Sequence, residues 1–407
     1  MRHSTLRRPG RLRQGSLAVA VLLATGGVAG AQEPGRPRAH AFRLAAAPPA
    51  LLETLREDPF VYFRFLNTDW AAAVCEAFRG ELPALPNAIL HGDAHLEQYA
   101  LTATAHGLDD FDDAAHGPSV IDLVRFLGSI DLVARRRGWT AESERLFDRF
   151  FDGYTRSLAD PAYSPPEPAV VARLRARPRR TREAFLAWGE SLMQEPTPPQ
   201  LEDFTRSLRL VEALVRELRP EVPAGYFRPK RAGWLRMGVG SFLVPKALAR
   251  VEGPSAAPGD DVLLEAKQLS RLDGVPCVQV PLSGEAFRVI AAAEQIGRLR
   301  HRFLLVAPRR EEQGPDVRDW WVRTWDETYV ELETADLASP DELAEVAHDV
   351  GAQLGSTNLR ESIPLLEAQL RHAELAAMRR LDPRIRATAR RLVDELLAGW
   401  EEWRASH

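Results

Sequence analysis

Ile89-Leu90-His91-Gly92-Asp93-Ala94-His95-Leu96-Glu97-Gln98 stands ahead of a second short segment, Leu108-Asp109-Asp110-Phe111-Asp112-Asp113. Ala88 to Leu90 reads as a short strand and Leu108 to Phe111 as another short strand or turn, so each acidic segment follows a hydrophobic run. Two such turns bring carboxylates together at one edge. That pattern suits magnesium-assisted phosphoryl transfer, in which one carboxylate accepts a hydroxyl proton and another holds the metal that neutralises developing charge. Adjacent carboxylates repel one another and need a cation to relieve them.

Outward from this pair, Leu51 to Arg79 has helical spacing, with aromatics at Phe60, Tyr62, Phe63 and Phe65 and a proline-punctuated turn (Pro83, Pro86) after it. Ile121 to Arg136 reads as a helix carrying Leu123, Phe126, Leu127 and Ile130 on one face. From Glu142 to Leu218 the pattern stays helical, with breaks at Pro161 to Pro168 and at Glu195 to Gln200. The character changes near Arg228. Trp234 to Met237, Ser241 to Val244, Val262 to Ala266, Phe303 to Val306 and Trp320 to Glu331 are β-type runs, and Gly284 to Arg300 is helix-like, which predicts a small sheet with a helix against it. Pro340 opens a helical tail to Trp403, interrupted at Asp382-Pro383.

Nearly every cation is arginine: the chain has three lysines, Lys230, Lys246 and Lys267. Lys267 ends the apolar run Val262-Leu263-Leu264-Glu265-Ala266-Lys267, which argues for an inward position where a compact point charge is wanted. Upstream, Met237-Gly238-Val239-Gly240-Ser241-Phe242 lies between two β-type runs, and its glycines would let backbone N–H groups approach phosphates closely.

These residues carry a resemblance. His91-Gly92-Asp93 with Gln98, then Asp110-Phe111-Asp112, then Asp122-Leu123, resembles the catalytic loop, metal-binding turn and supporting aspartate of the aminoglycoside phosphotransferase and choline kinase group. The longer string of Asp58-Pro59-Phe60, Tyr62-Phe63-Arg64-Phe65-Leu66, Gly92-Asp93-Ala94-His95-Leu96-Glu97, Asp110-Phe111-Asp112-Asp113 and Asp122-Leu123-Val124-Arg125-Phe126 more closely resembles the bacterial domain-of-unknown-function 2252 family. That resemblance implies an α+β, protein-kinase-like, two-lobed fold in circularly permuted order, a mainly helical lobe with a small antiparallel β lobe. It implies a cofactor pair of magnesium and ATP or another nucleotide. It implies Asp93 as general base, Gln98 and Asp110 as metal ligands, Asp112 as accessory ligand, and Lys267 as phosphate anchor. Gly238, Gly240 and Ser241 would line the phosphates, and His91 and Asp122 would hold the catalytic loop. Glu294 is the expected partner of Lys267, with Glu265 the alternative. Gln98 stands where those families carry asparagine. A binding protein that keeps the scaffold without the chemistry is the competing expectation. A metal-dependent hydrolase using His91, Asp93 and His95, alternating as on one strand face, is the third.

The remaining expectations concern organisation and location. A basic front (Arg7, Arg8, Arg11, Arg13), an apolar run from Leu17 to Val28 and Ala29-Gly30-Ala31 read as a signal peptide over 1–31, giving an exported chain, periplasmic or secreted. A linker over 32–50 follows, then a helical lobe over 51–228, a β-rich nucleotide-binding-like lobe over 229–335, and C-terminal helices over 336–407 that complete the helical lobe. No later run is long and apolar enough to span a bilayer. A net charge of −4 over 53 basic and 57 acidic residues argues against a nucleic-acid partner and leaves a small molecule or a protein as substrate. Cys75 and Cys277 each sit among apolar neighbours, and two separate core thiols are expected.

Overall fold

Two short antiparallel ladders bracket the acidic segments. β1 (Asn87–Leu90) pairs with β4 (Ala115–Pro118), with Leu90 opposite Ala115. β2 (Tyr99–Leu101) pairs with β3 (His106–Leu108), Tyr99 opposite Leu108, and β11 (Val330–Glu331) adds a third strand along β2. Loop 91–98 and turn 109–114 are thereby pinned side by side at both ends, and the Asp109 N–H donates to the Gln98 carbonyl at 2.8 Å.

The computed structural model describes residues 49–406 apart from 219, 222, 224, 236–244, 270–274, 280–284, 302–303 and 308–319. The expected signal peptide and most of the expected linker lie outside these residues, as do Gly238, Gly240, Ser241 and the expected strand from Ser241 to Val244. Among the described residues, no helix is long and apolar enough to cross a membrane.

The helical part is mixed with these ladders. α1 (Pro49–Glu57), α2 (Pro59–Phe65) and α3 (Asn67–Ala77) follow one another closely. Asp58 caps α2 by accepting the Phe60 N–H at 2.7 Å, and Pro59 supplies the first helical residue. α4 (Val120–Arg136) is buried on all sides from Val120 to Ala134, as expected of a central helix. α5 (Ser143–Ala159), α6 (Ala169–Arg175), α7 (Arg182–Ser191) and α8 (Pro198–Leu218) follow. α10 (Pro340–Thr357) lies along α5 so closely that a Cβ at Gly153 would stand 2.1 Å from the His348 carbonyl, and one at Gly351 would stand 2.1 Å from the Phe150 carbonyl. Glycine at both positions is what lets backbone meet backbone. α11 (Pro364–Ser406) packs across α4 and α5.

The larger sheet has six strands in the order β5 (Met193–Gln194), β6 (Pro229–Leu235), β7 (Lys246–Val251), β8 (Val262–Gln268), β10 (Trp320–Thr324), β9 (Leu304–Ala307), and every pair is antiparallel. α9 (Glu285–Gln295) joins β8 to β9 in the chain. One face, with Ala249, Val251, Val262, Leu264 and Val322, packs on Leu208 and Val211 of α8. The other carries Leu235, Leu248 and Leu263 against Phe185 and Leu186 of α7. Further along that second face, alternation brings up Glu265, Lys267 and Arg323.

Four expectations change. β7 was not expected as a strand; four of its six residues are alanine or cation, and it forms because β6 and β8 flank it. Trp320 to Glu331 is divided, β10 entering the large sheet and β11 the small one. The C-terminal tail breaks between Thr357 and Pro364, and α11 runs through Pro383. Pro383 removes one backbone donor, but Leu381 and Ile385 beside it are buried, and that packing outweighs the loss. Finally, Cys75 and Cys277 form a disulfide, with Cα atoms 5.6 Å apart. Gln279 makes a two-way backbone bridge with His116 of β4, and this carries the 275–279 segment back under β1 and onto α3.

Candidate functional site

Gly92 adopts φ +82°, and a Cβ there would stand 1.9 Å from the Asp113 carbonyl. Only glycine allows the histidine loop to lie directly on the acidic turn. Asp110 is in the left-handed region as well, at φ +65°, a conformation that aspartate tolerates better than most residues. Asp122, in the first turn of α4, accepts from the His91 N–H at 2.8 Å and the Gly92 N–H at 2.9 Å. The His91 ring bonds the Asp109 carbonyl through Nε2 at 2.9 Å and faces the Asp93 N–H through Nδ1 at 3.3 Å. His91 and Asp122 thus shape the loop.

Asp93 points inward, 7% exposed, and takes Arg125 Nε on Oδ1 at 2.9 Å. Arg125 also donates to the Phe63 carbonyl at 3.0 Å and lies 3.6 Å from the centre of the Phe63 ring. Burial works against the Asp93 charge, but Arg125, with His95 behind it, brings its pKa down to about 2. His95 is enclosed by Phe60 and Phe63, and burial depresses it to about 4.

Lys267 of β8 reaches the acidic turn. Its Nζ donates to Asp110 Oδ1 at 2.5 Å and to Asp112 Oδ2 at 3.0 Å, while Lys267 itself is 2% exposed. Burial alone would lower the ammonium's pKa; the two carboxylates reverse that and hold it well above the usual lysine range. The carboxylates share this one cation unequally. Burial opposes the Asp110 charge, yet Lys267 and then Arg323 hold Asp110 far below the usual range. Asp112 is pushed up by burial and by Asp110 beside it. Asp113 rises to about 7 through burial and the charges of Asp93 and Asp112.

Several groups here had no assigned role in the sequence. Arg288 of α9 donates to the carbonyls of Asp112 and Ala114 at 2.7 and 2.5 Å. Arg323 of β10 spans Asp109 Oδ2 at 2.7 Å and Glu265 Oε2 at 2.8 Å, and His301 Nε2 lies 3.2 Å from Asp109. Arg125 alone was legible, because it lies one helical turn beyond Asp122 and on the same face. Arg288 and Arg323 meet the turn only through long-range folding.

One expected pairing is corrected. Glu294 does not meet Lys267: it is exposed and paired with Arg300 at 2.9 Å, because the buried stripe of α9 runs through Val289, Ala292 and Ala293 instead. Glu265, the alternative, is taken by Arg323 and by Trp325 Nε1. Gln98 ends the turn Leu96–Gln98 and contacts Asp109 through backbone. His91, Asp93 and His95 follow β1 as a loop and not as one strand face; His95 Nε2 lies 3.5 Å from Asp93 Oδ2, but both His91 nitrogens face backbone groups, so His91 does not join the other two.

Among the described residues, no group of three or more His, Cys, Asp or Glu is arranged to hold a metal ion. Magnesium, however, is commonly held by one or two carboxylates with phosphate and water oxygens completing its shell. Asp110 and Asp112 offer that all-oxygen set, and Asp112 Oδ1 is buried without a hydrogen-bond partner. The residues present fit a hard cation.

Residues 43–195 match a family model described as "Uncharacterized protein conserved in bacteria (DUF2252)". The match covers less than half of the chain and supports that resemblance over the span holding Asp58, His91 to Gln98, the acidic turn and Asp122. No curated protein and no solved structure matches the chain.

Proposed function

We propose that this chain is a kinase-like phosphotransferase that uses a divalent metal and a nucleotide, with its two lobes in circularly permuted order. One observation carries the reading: a lysine from the second half of the chain donates to both Asp110 and Asp112, so the carboxylate turn and the ammonium meet. The chain order supports it too, since loop 91–98 and turn 109–113 precede the sheet bearing Lys267, and α9 follows that lysine strand as a helix follows the lysine strand of kinases.

In this reading Asp110 and Asp112, with Gln98, hold magnesium, and Lys267 anchors the phosphates. The metal would neutralise charge developing on the transferred group. Asp93 stays ionised at every physiological pH. Arg125 occupies its Oδ1, and Oδ2, 3.5 Å from His95 Nε2, is the oxygen that would take the proton of an acceptor hydroxyl, on a small molecule or a protein. The 1–31 segment is read as a signal peptide, and the Cys75–Cys277 bond favours an oxidising compartment outside the cytoplasm.

Thermal-shift titration with magnesium and nucleotides tests the proposal, since ligand at a hundred times its dissociation constant stabilises by about 2.7 kcal/mol. No shift with any nucleotide overturns it. A second reading, a nucleotide-binding protein without turnover, is favoured by the burial of Asp93 against Arg125. Asp93→Asn separates the two: the enzyme loses turnover and keeps binding, whereas wild-type binding with no turnover of any acceptor fits the second.

A further inference from the structure

Two of the three lysines face each other across adjacent strands. In the β7–β8 register Lys246 lies opposite Lys267, and the Gln268 N–H donates to the Pro245 carbonyl at 3.1 Å next to them. That bond makes Lys246 and Lys267 a non-hydrogen-bonded pair, the kind whose side chains stand closer, with Cβ atoms roughly 4.5–5.5 Å apart. Directly opposed like charges destabilise a sheet. Lys267 is relieved by Asp110 and Asp112, and Lys230 by Asp261, but Lys246 has no hydrogen bond or ion pair among the described residues. Burial and the neighbouring Lys267 disfavour its charge more than Glu265, Asp110 and Asp112 favour it. Lys246 is half-buried, so solvent-borne ligands can reach it. In a chain whose other cations are almost all arginine, an unpaired ammonium is held against a second one beside the acidic turn.

We infer that Lys246 is a second anion-binding residue of the cleft, and that Lys246 and Lys267 together seat the linked phosphates of a nucleoside di- or triphosphate. A chain of phosphates carries separated negative charges and can meet both ammoniums at once, converting the cross-strand repulsion into two charge-assisted contacts. The linked-phosphate chemistry follows from the lysine pair; that the phosphates belong to a nucleotide rests on the function proposed above.

Isothermal titration of the full chain and of Lys246→Met tests this, using magnesium with adenosine diphosphate, magnesium with inorganic tripolyphosphate, and adenosine. Lys246→Met is expected to weaken both phosphate ligands by about tenfold or more while leaving adenosine unchanged. Without ligand the variant should melt at or above the wild-type temperature, because a like-charge contact is gone. Equal phosphate affinities in the two proteins overturn the inference and leave the phosphotransferase reading standing. Tripolyphosphate binding that depends on Lys246, without nucleotide binding, upholds the lysine pair and removes the nucleotide. A wild-type chain that binds neither overturns both, and a variant that melts below wild type makes Lys246 structural and overturns the inference.

Discussion

Arginine grips one side of the carboxylate cluster and lysine the other. Arg125 and Arg323 end in planar forks whose hydrogen bonds go to buried carboxylates, and Arg323 leaves Asp109 and Glu265 at 2% and 5% side-chain exposure. Lys267 is equally buried, yet the two carboxylates it touches keep 23% and 17% of their side-chain surface, and one oxygen of Asp112 has no partner. The rigid fork suits a contact that stays; the point charge on a flexible stem suits one that is exchanged for a ligand. Arg323 with Asp109 and Glu265 forms the closed side of the cluster, and Lys267 with Asp110 and Asp112 the more accessible one.

Substitutions can break this contrast. Arg323→Met strands two buried carboxylates and should cost about 3–5 kcal/mol of unfolding free energy in urea titrations. A loss no greater than that of Lys267→Met would erase the distinction. The next effect is in pH. Burial opposes the Glu265 charge, but Arg323 lowers its pKa from 4.5 to about 2, so the folded state favours the ionised form. That stability is complete above about pH 4.5 and is lost as pH falls toward 2; Glu265→Gln should flatten the acid limb by about 2–3 kcal/mol. Unchanged acid sensitivity would show that Arg323 does not hold Glu265 in solution. Lys267→Met should cost only about 1–2 kcal/mol, because Asp110 and Asp112 can rehydrate, and the proposed function requires that it abolish stabilisation by nucleotide. Glu294→Ala, at a solvated pair with Arg300, should fall within about 0.5 kcal/mol of wild type and leave ligand binding intact.

Much of this site was readable before any coordinates, and the limits have physical causes. His91-Gly92-Asp93 and the Asp109 to Asp113 turn stand out because short hydrophobic runs end abruptly in glycine and acid. The central helix α4 declares itself by its 3.6-residue period, and β8 by an apolar run, interrupted by Glu265 and closed by Lys267. β7 was hidden, since Lys246 to Val251 lacks the β-branched enrichment that marks a strand. Pro383 misled for a related reason: a local penalty was visible and the tertiary burial that offsets it was not. Arg288, Arg323 and the Cys75–Cys277 bond are contacts between distant parts of the chain, and no local period encodes them.

The same disulfide has a topological consequence. Cys75 and Cys277, 202 positions apart, close a covalent ring that holds His91, Asp93, Asp110, Asp112, Lys246 and Lys267, while α10 and α11 lie outside it. If those last helices peel away, these six residues remain threaded on one tether and at high effective concentration for each other. The cluster can therefore reassemble from within its own loop.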